Sequence, residues 1–112
     1  MLKNKWMKFK NANLLSKRLA NDILSVANKF INKNGKFTIV LAGGNSYIDT
    51  YKFLKESKSN WCKWHIYLSD ERILPKNHKD RNDKKINEGW LNNGKIPNKN
   101  INFICAELKI KD

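Results

Sequence analysis

Apolar positions along the first third of the chain recur at helical spacing. Leu15, Leu19, Ile23, Ala27 and Ile31 fall four residues apart, and Leu24 and Phe30 widen the stripe, which predicts a helix from Asn13 to Asn32. Asn11 or Asn13 can cap its start, and Gly35 stands where a left-handed residue would stop it. The period then changes. "KFTIVLAGG" is β-branched and apolar with no polar alternation, and it predicts a strand buried on both faces, as in a parallel sheet, ended by Gly43 and Gly44.

A second helix is predicted near Ser46, with Ser46 and Asp49 as a capping pair and Tyr47, Tyr51 and Leu54 as its inner face. "WCKWHIYLS" supplies the next strand, in which Trp64, Ile66 and Leu68 alternate with His65 and Tyr67. A polar loop containing Pro75 leads to a short helix around Asp83 to Leu91, which sets Ile86 and Trp90 one turn apart; Asn93-Gly94 ends it. After Pro97, "NINFICA" reads as a third strand. The alternation of helix and strand predicts an α/β fold, a three-layer Rossmann-like parallel sheet with helices on both faces. Neither repeats nor a glycine-serine linker divides the chain, so residues 1–112 are expected to form one domain.

Composition refines this picture in three ways. At 40% hydrophobic and 11% aromatic, the chain has enough apolar mass for a modest core and is not a disordered tail. Lys and Arg number 23 against 10 acidic residues, a net charge of +13 that raises nucleic acid or an anionic membrane as a partner. The excess is nearly all Lys, scattered among Asn rather than clustered. A compositional bias on exposed positions therefore explains it better than a basic nucleic-acid-binding module does. Cys62 and Cys105 are far apart and share no metal-ligand spacing, which suits small buried thiols in a reducing compartment. With no signal-peptide pattern and no apolar run of membrane-spanning length, a cytoplasmic protein without a membrane partner is expected.

Two stretches carry candidate chemistry. "LAGGNS" falls between an inner strand and a helix start, at the carboxyl edge of a parallel sheet, where ligands usually bind. Gly43 and Gly44 let the backbone turn and approach closely, the first-turn N–H groups of the helix suit an anion, and Asn45 and Ser46 add an amide and a hydroxyl. The later glycines of a dinucleotide fingerprint and the Lys-Ser/Thr pair of a Walker loop are missing, so a plain strand-to-helix turn fits as well. One crossover later, Asp70, Glu71 and Arg72 end the second strand at the equivalent edge. Arg72 offers a planar fork for a phosphate or carboxylate, and Asp70 could bind a sugar hydroxyl or orient an imidazole. The alternative is a solvated Glu71–Arg72 pair worth less than about 1 kcal/mol. His65 lies early on its strand and His78 in a polar loop, neither placed as a base. No carboxylate pair has glycosidase spacing and no serine sits in a nucleophile elbow.

Together "FTIVLAGGNS", "WHIYLSDERILP", "HKDRN" and "GKIPNKNINFI", in this order and spacing, resemble the amino-terminal half of the 6-phosphogluconolactonase and glucosamine-6-phosphate isomerase superfamily. The Asp-Glu-Arg form is similar to the lactonase branch. The resemblance implies that Gly43, Gly44 and Ser46 line a phosphate site. It implies that Arg72 recognises the phosphate or nearby oxygens, that Asp70 supports the catalytic base and that Asn82 shapes the pocket. Two positions depart from the family pattern. Asn45 stands between the glycines and Ser46, so either residue could take the phosphate contact. Arg81 replaces the usual Ser, setting a cation where it could strengthen anion binding or point to solvent.

Family members are roughly twice this long, and their later half carries an Asp-Gly-His motif whose histidine is the general base; no segment here matches it. The sheet is accordingly expected to be partial, with an apolar edge exposed. The implied function is hydrolysis of 6-phosphogluconolactone to 6-phosphogluconate in the pentose phosphate route, with no metal or cofactor and with little activity in this chain alone. The alternatives are a non-catalytic sugar-phosphate binder, self-associating or joined by a complementary carboxy-terminal half, and an aminosugar-phosphate isomerase.

Overall fold

The structure, a computed structural model, describes residues 11–42, 47–69 and 78–103. The first helix, α1 (Ala12–Asn34), starts where Asn11 accepts the Leu14 N–H on its side chain at 2.9 Å. It stops at Gly35, whose φ of 82° is left-handed and whose N–H returns to the Ile31 carbonyl at 2.8 Å. Both signals act as the sequence predicts. The buried face is turned from the expected one. Ser16, Ala20 and Ala27 are buried, with Ile23, Leu24 and Ile31 packed beside them, whereas Leu15 is 50% exposed. Small residues take the inner stripe because α1 packs closely along the second helix, and a larger side chain would hold the two apart.

Strand β1 (Phe37–Leu41) leads to α2 (Ile48–Glu56), which buries Thr50, Tyr51 and Leu54 and leaves Tyr47 40% exposed. Tyr47 holds the N-cap position of α2 without a side-chain capping bond, and Ser46, the expected cap, lies outside the described residues. A single 3-10 turn (Trp61–Lys63) opens β2 (Trp64–Leu68). Helix α3 (Asn82–Gly89) follows, and after two further 3-10 turns comes the two-residue strand β3 (Ile101–Asn102). Gly94, with φ of 75°, closes the turn after α3, in keeping with the Asn-Gly stop.

The sheet is parallel, in the order β1-β2-β3, with Phe37 opposite Trp64, Leu41 opposite Leu68, and Ile66 opposite Ile101. It is a partial, Rossmann-like sheet flanked by helices, with an open edge, as the alternating pattern predicted. Its core is aromatic. Trp64 meets Phe37 edge-on at 4.8 Å, lies 4.7 Å from Trp61 and crosses Trp90 at 5.8 Å, while Tyr51 stacks on Trp90 at 5.9 Å. Trp64 and Trp90 are fully buried, and the indole N–H of Trp64 donates to the Ser59 hydroxyl at 2.9 Å.

These contacts set α2 and α3 over the face that carries Phe37, Leu41, Trp64 and Ile66. The opposite face, with Thr38, Val40, His65 and Tyr67, is open: Val40 is 60% exposed and its register partner Tyr67 44%. The expectation that β1 is buried on both faces is therefore corrected. A parallel strand buried on both faces needs a layer above and below it, and the exposure of Val40 and Tyr67 shows that this face is uncovered among the described residues.

Candidate functional site

The carboxyl ends of β1 and β2 lie side by side. Leu41 pairs with Leu68 in register, and the Ser69 N–H donates to the Leu41 carbonyl at 2.9 Å, carrying the ladder one step past the strand. Ala42 and Ser69 are thus neighbours at the sheet edge where this architecture binds ligands. The candidate residues Gly43, Gly44, Asn45, Ser46, Asp70 and Arg72 lie outside the described residues.

The exit of β1 is held from α2. The Tyr51 hydroxyl donates to the Ala42 carbonyl at 2.6 Å. Burial, with a smaller contribution from neighbouring Tyr47, pushes the Tyr51 hydroxyl up to about 12. It therefore remains a neutral donor across the ordinary pH range. The sequence offered Tyr51 only as an apolar position; its spacing nine residues beyond Ala42 carries no signal that the two would meet.

Arg81 and Asn82 stand at the start of α3, and both are buried, Arg81 to 1% exposure and Asn82 to 6%. Arg81 lays its guanidinium fork on Asp83: Nε lies 3.1 Å from Oδ1 and Nη2 2.8 Å from Oδ2. This is a bidentate pair away from solvent, so Arg81 does not take the solvent-facing orientation open to it in the sequence. Arg81, Asn82 and Asp83 each make further interactions beyond this pair. Asp83 is a residue that motif reasoning missed; the signal available was an acid two positions after an unusual arginine. His78 sits in the loop before α3 and is partly exposed. Its Nδ1 accepts the Asp80 N–H at 3.1 Å and its carbonyl takes the Arg81 N–H at 3.0 Å. His65 lies on the open sheet face, on the strand before its carboxyl end.

Among the described residues, no group of three or more His, Cys, Asp or Glu side chains gathers as metal ligands do. A hollow of about 440 Å³ between Lys52, Lys55, Glu88 and Lys95 lies toward the carboxyl ends of α2 and α3, where helix dipoles oppose an anion. No described helix is long and apolar enough to cross a membrane.

Residues 10–111 match the family described as glucosamine-6-phosphate isomerases/6-phosphogluconolactonase. The chain belongs to this family. Among curated members of the glucosamine-6-phosphate isomerase/6-phosphogluconolactonase family, it is 37% identical over 112 residues to probable 6-phosphogluconolactonase 4 of Arabidopsis thaliana, covering 95% of this chain and 43% of that one. It is 35% identical over 83 residues to the 6-phosphogluconolactonase of Thermotoga maritima, covering 74% and 38%. The crystal structure of the Thermotoga maritima 6-phosphogluconolactonase superposes with a TM-score of 0.77 at 27% identity, over 92% of this chain and 45% of that one. The 6-phosphogluconolactonase from Trypanosoma cruzi, at 19% identity, shares the fold with a TM-score of 0.81. The chain spans less than half the length of these relatives.

Proposed function

We propose that this chain supplies the substrate-holding half of a 6-phosphogluconolactonase site. The observation that carries the proposal is the family match over residues 10–111 on a parallel sheet whose first two strands end side by side. In this reading Gly43, Gly44, Asn45 and Ser46 offer backbone N–H groups, an amide and a hydroxyl to the phosphate of the substrate, and Arg72 adds a charged fork. Asn82 and Arg81 shape the wall at the start of α3, Arg81 acting through Asp83. Asp70 orients the base that takes a proton from the attacking water. The water oxygen bonds to the lactone carbonyl carbon, the ring oxygen leaves, and a proton returns to it as the free hydroxyl.

The Asp-Gly-His histidine that supplies this base in the family pattern has no counterpart in the sequence, so the isolated chain binds the product sugar phosphate without turning over the lactone. The sugar phosphate is a free small molecule and the setting is the cytoplasm; Cys62, expected as a small buried thiol, is instead exposed. Calorimetric titration of the chain with 6-phosphogluconate and with gluconate tests this reading. The expected result is binding that requires the phosphate and weakens at least about tenfold in Arg72→Ala and Ser46→Ala. Equal binding of the two ligands, or normal lactonase turnover by the pure chain, would overturn it.

A further inference from the structure

Among the described residues, the ladder between β1 and β2 ends on Leu41, whose carbonyl accepts the Ser69 N–H at 2.9 Å. The carbonyl of Ala42, one residue further, is taken from another element, by the Tyr51 hydroxyl at 2.6 Å. In the sequence Ala42 precedes Gly43, which lies outside the described residues. The Ala42 carbonyl therefore belongs to the same planar peptide unit as the Gly43 N–H, and in a trans unit the two groups point in opposite directions. Holding the carbonyl aims the N–H. Glycine accepts positive and negative φ about equally, so a peptide plane that precedes it has no side chain to choose its orientation. Here that choice falls to Tyr51.

The donor is placed by the core rather than by the edge it serves. Tyr51, on α2, is 5% exposed, and its ring stacks on the fully buried Trp90 at 5.9 Å. Trp90 in turn crosses Trp61 and Trp64, each at 5.8 Å. A phenylalanine would fill the same space and stack on the same indole. The hydroxyl adds a desolvation cost, which pushes it up to about 12 and keeps it protonated, and the bond to Ala42 offsets that cost. We propose that Tyr51 is a positioning residue: through the Ala42 carbonyl, its hydroxyl sets the plane of the Ala42–Gly43 peptide and so the direction of the first N–H that this edge offers to an anion. Tyr51 acts through the backbone and not by touching the anion. This rests on the reading of the β1 exit as the phosphate-holding edge.

The test titrates the 112-residue chain, Tyr51→Phe and Gly35→Ala with 6-phosphogluconate, inorganic phosphate and gluconate by calorimetry. Tyr51→Phe keeps the ring, and circular dichroism checks that it keeps the fold. It is expected to weaken both phosphate ligands at least about tenfold. Gly35→Ala strains the left-handed residue before β1, at the other end of the strand, and is expected to leave both affinities unchanged. A residue that served stability alone would move the two variants together. Without ligand, the Ala42 carbonyl-carbon and Gly43 amide-nitrogen resonances are expected to shift in Tyr51→Phe and to stay in place in Gly35→Ala. Equal phosphate affinity in the chain and in Tyr51→Phe, an equal loss in Gly35→Ala, or unmoved resonances would overturn the proposal. If inorganic phosphate binds and weakens in Tyr51→Phe while 6-phosphogluconate binds no better than gluconate, only the substrate assignment falls. If 6-phosphogluconate binds through its phosphate equally in both proteins, only the positioning inference falls. If no phosphate ligand binds, both fall.

Discussion

The Tyr51 hydroxyl and the Ala42 carbonyl, 2.6 Å apart, tie the second turn of α2 to the residue that follows β1. The bond is part-buried, so deleting the donor leaves a carbonyl poorly compensated by water. Tyr51→Phe keeps the ring on Trp90 and is expected to cost about 1 kcal/mol. Urea unfolding followed by tryptophan emission measures it. If the bond also fixes the exit of β1, the same variant loses affinity for 6-phosphogluconate beyond its loss of stability.

The same hydroxyl predicts an alkaline weakness. Its folded value of about 12 lies above the ordinary 10.0, so the unfolded chain loses this proton first as pH rises. Between those values the folded state binds more protons than the unfolded state, and stability falls with rising pH. Below about 10 the contribution is fully present. Comparing the chain with Tyr51→Phe at pH 9 and at pH 11.5 separates this effect from the titrating lysines. The stability gap between the two proteins narrows at the higher pH, and a gap that stays constant would contradict the assignment.

Arg81 and Asp83 form a buried bidentate pair, and breaking such a pair from one side costs more than the pair contributes, because a charge stays behind in a poor solvent. Asp83→Ala is expected to destabilise the chain by about 3 kcal/mol, at the lower end of the range since Arg81 has other interactions. Replacing both residues together, Arg81→Ser with Asp83→Ser, recovers a large part of that loss. Denaturant midpoints of the single and double variants give the coupling directly.

Trp64 touches Phe37, Trp61 and Trp90 and is fully buried. Trp64→Ala removes the centre of this cluster and is expected to cost about 4 kcal/mol, a large share of the stability of a domain this small. Loss of the near-ultraviolet dichroism with retained far-ultraviolet signal would mark a chain that keeps helices but loses its packing.

Gly35 offers a test free of packing. A methyl group there would meet no heavy atom within 4 Å, yet its φ of 82° penalises any L side chain. Gly35→Ala is therefore expected to lower stability by about 1 kcal/mol through backbone conformation alone. Gly35→Asn should cost less, because Asn tolerates the left-handed region. Thermal melts of the two variants rank them.

Much of this fold was legible because its signals are local. Asn11 and Gly35 bound α1, the alternation of Trp64, Ile66 and Leu68 sets the buried face of β2, and the glycine after Asn93 stops the turn beyond α3, all through contacts a few residues apart. The rotation of α1 was not legible, because Leu15 looks more apolar than Ser16 until the close approach of α2 favours the smaller residue. Nor was the openness of one sheet face: a β-branched run reads as doubly buried whether or not the second layer is present. At the candidate site, the sequence predicts a ligand edge through its glycines and its Asp-Glu-Arg triplet, which lie outside the described residues. Tyr51, which holds the exit of β1, and Asp83, which pairs with Arg81, depend on distances that no spacing rule encodes.

The sheet order has a consequence for how the chain is made. Each strand pairs with the one synthesised just before it, and each helix packs where the preceding crossover leaves it. A domain whose strands interleave with later ones must wait for its last segment before its sheet can close. The three described strands can be laid down in the order they leave the ribosome, with β1 and β2 already paired when α3 and Trp90 arrive to cover Trp64. During that interval the first βαβ unit is the template on which everything after it is registered.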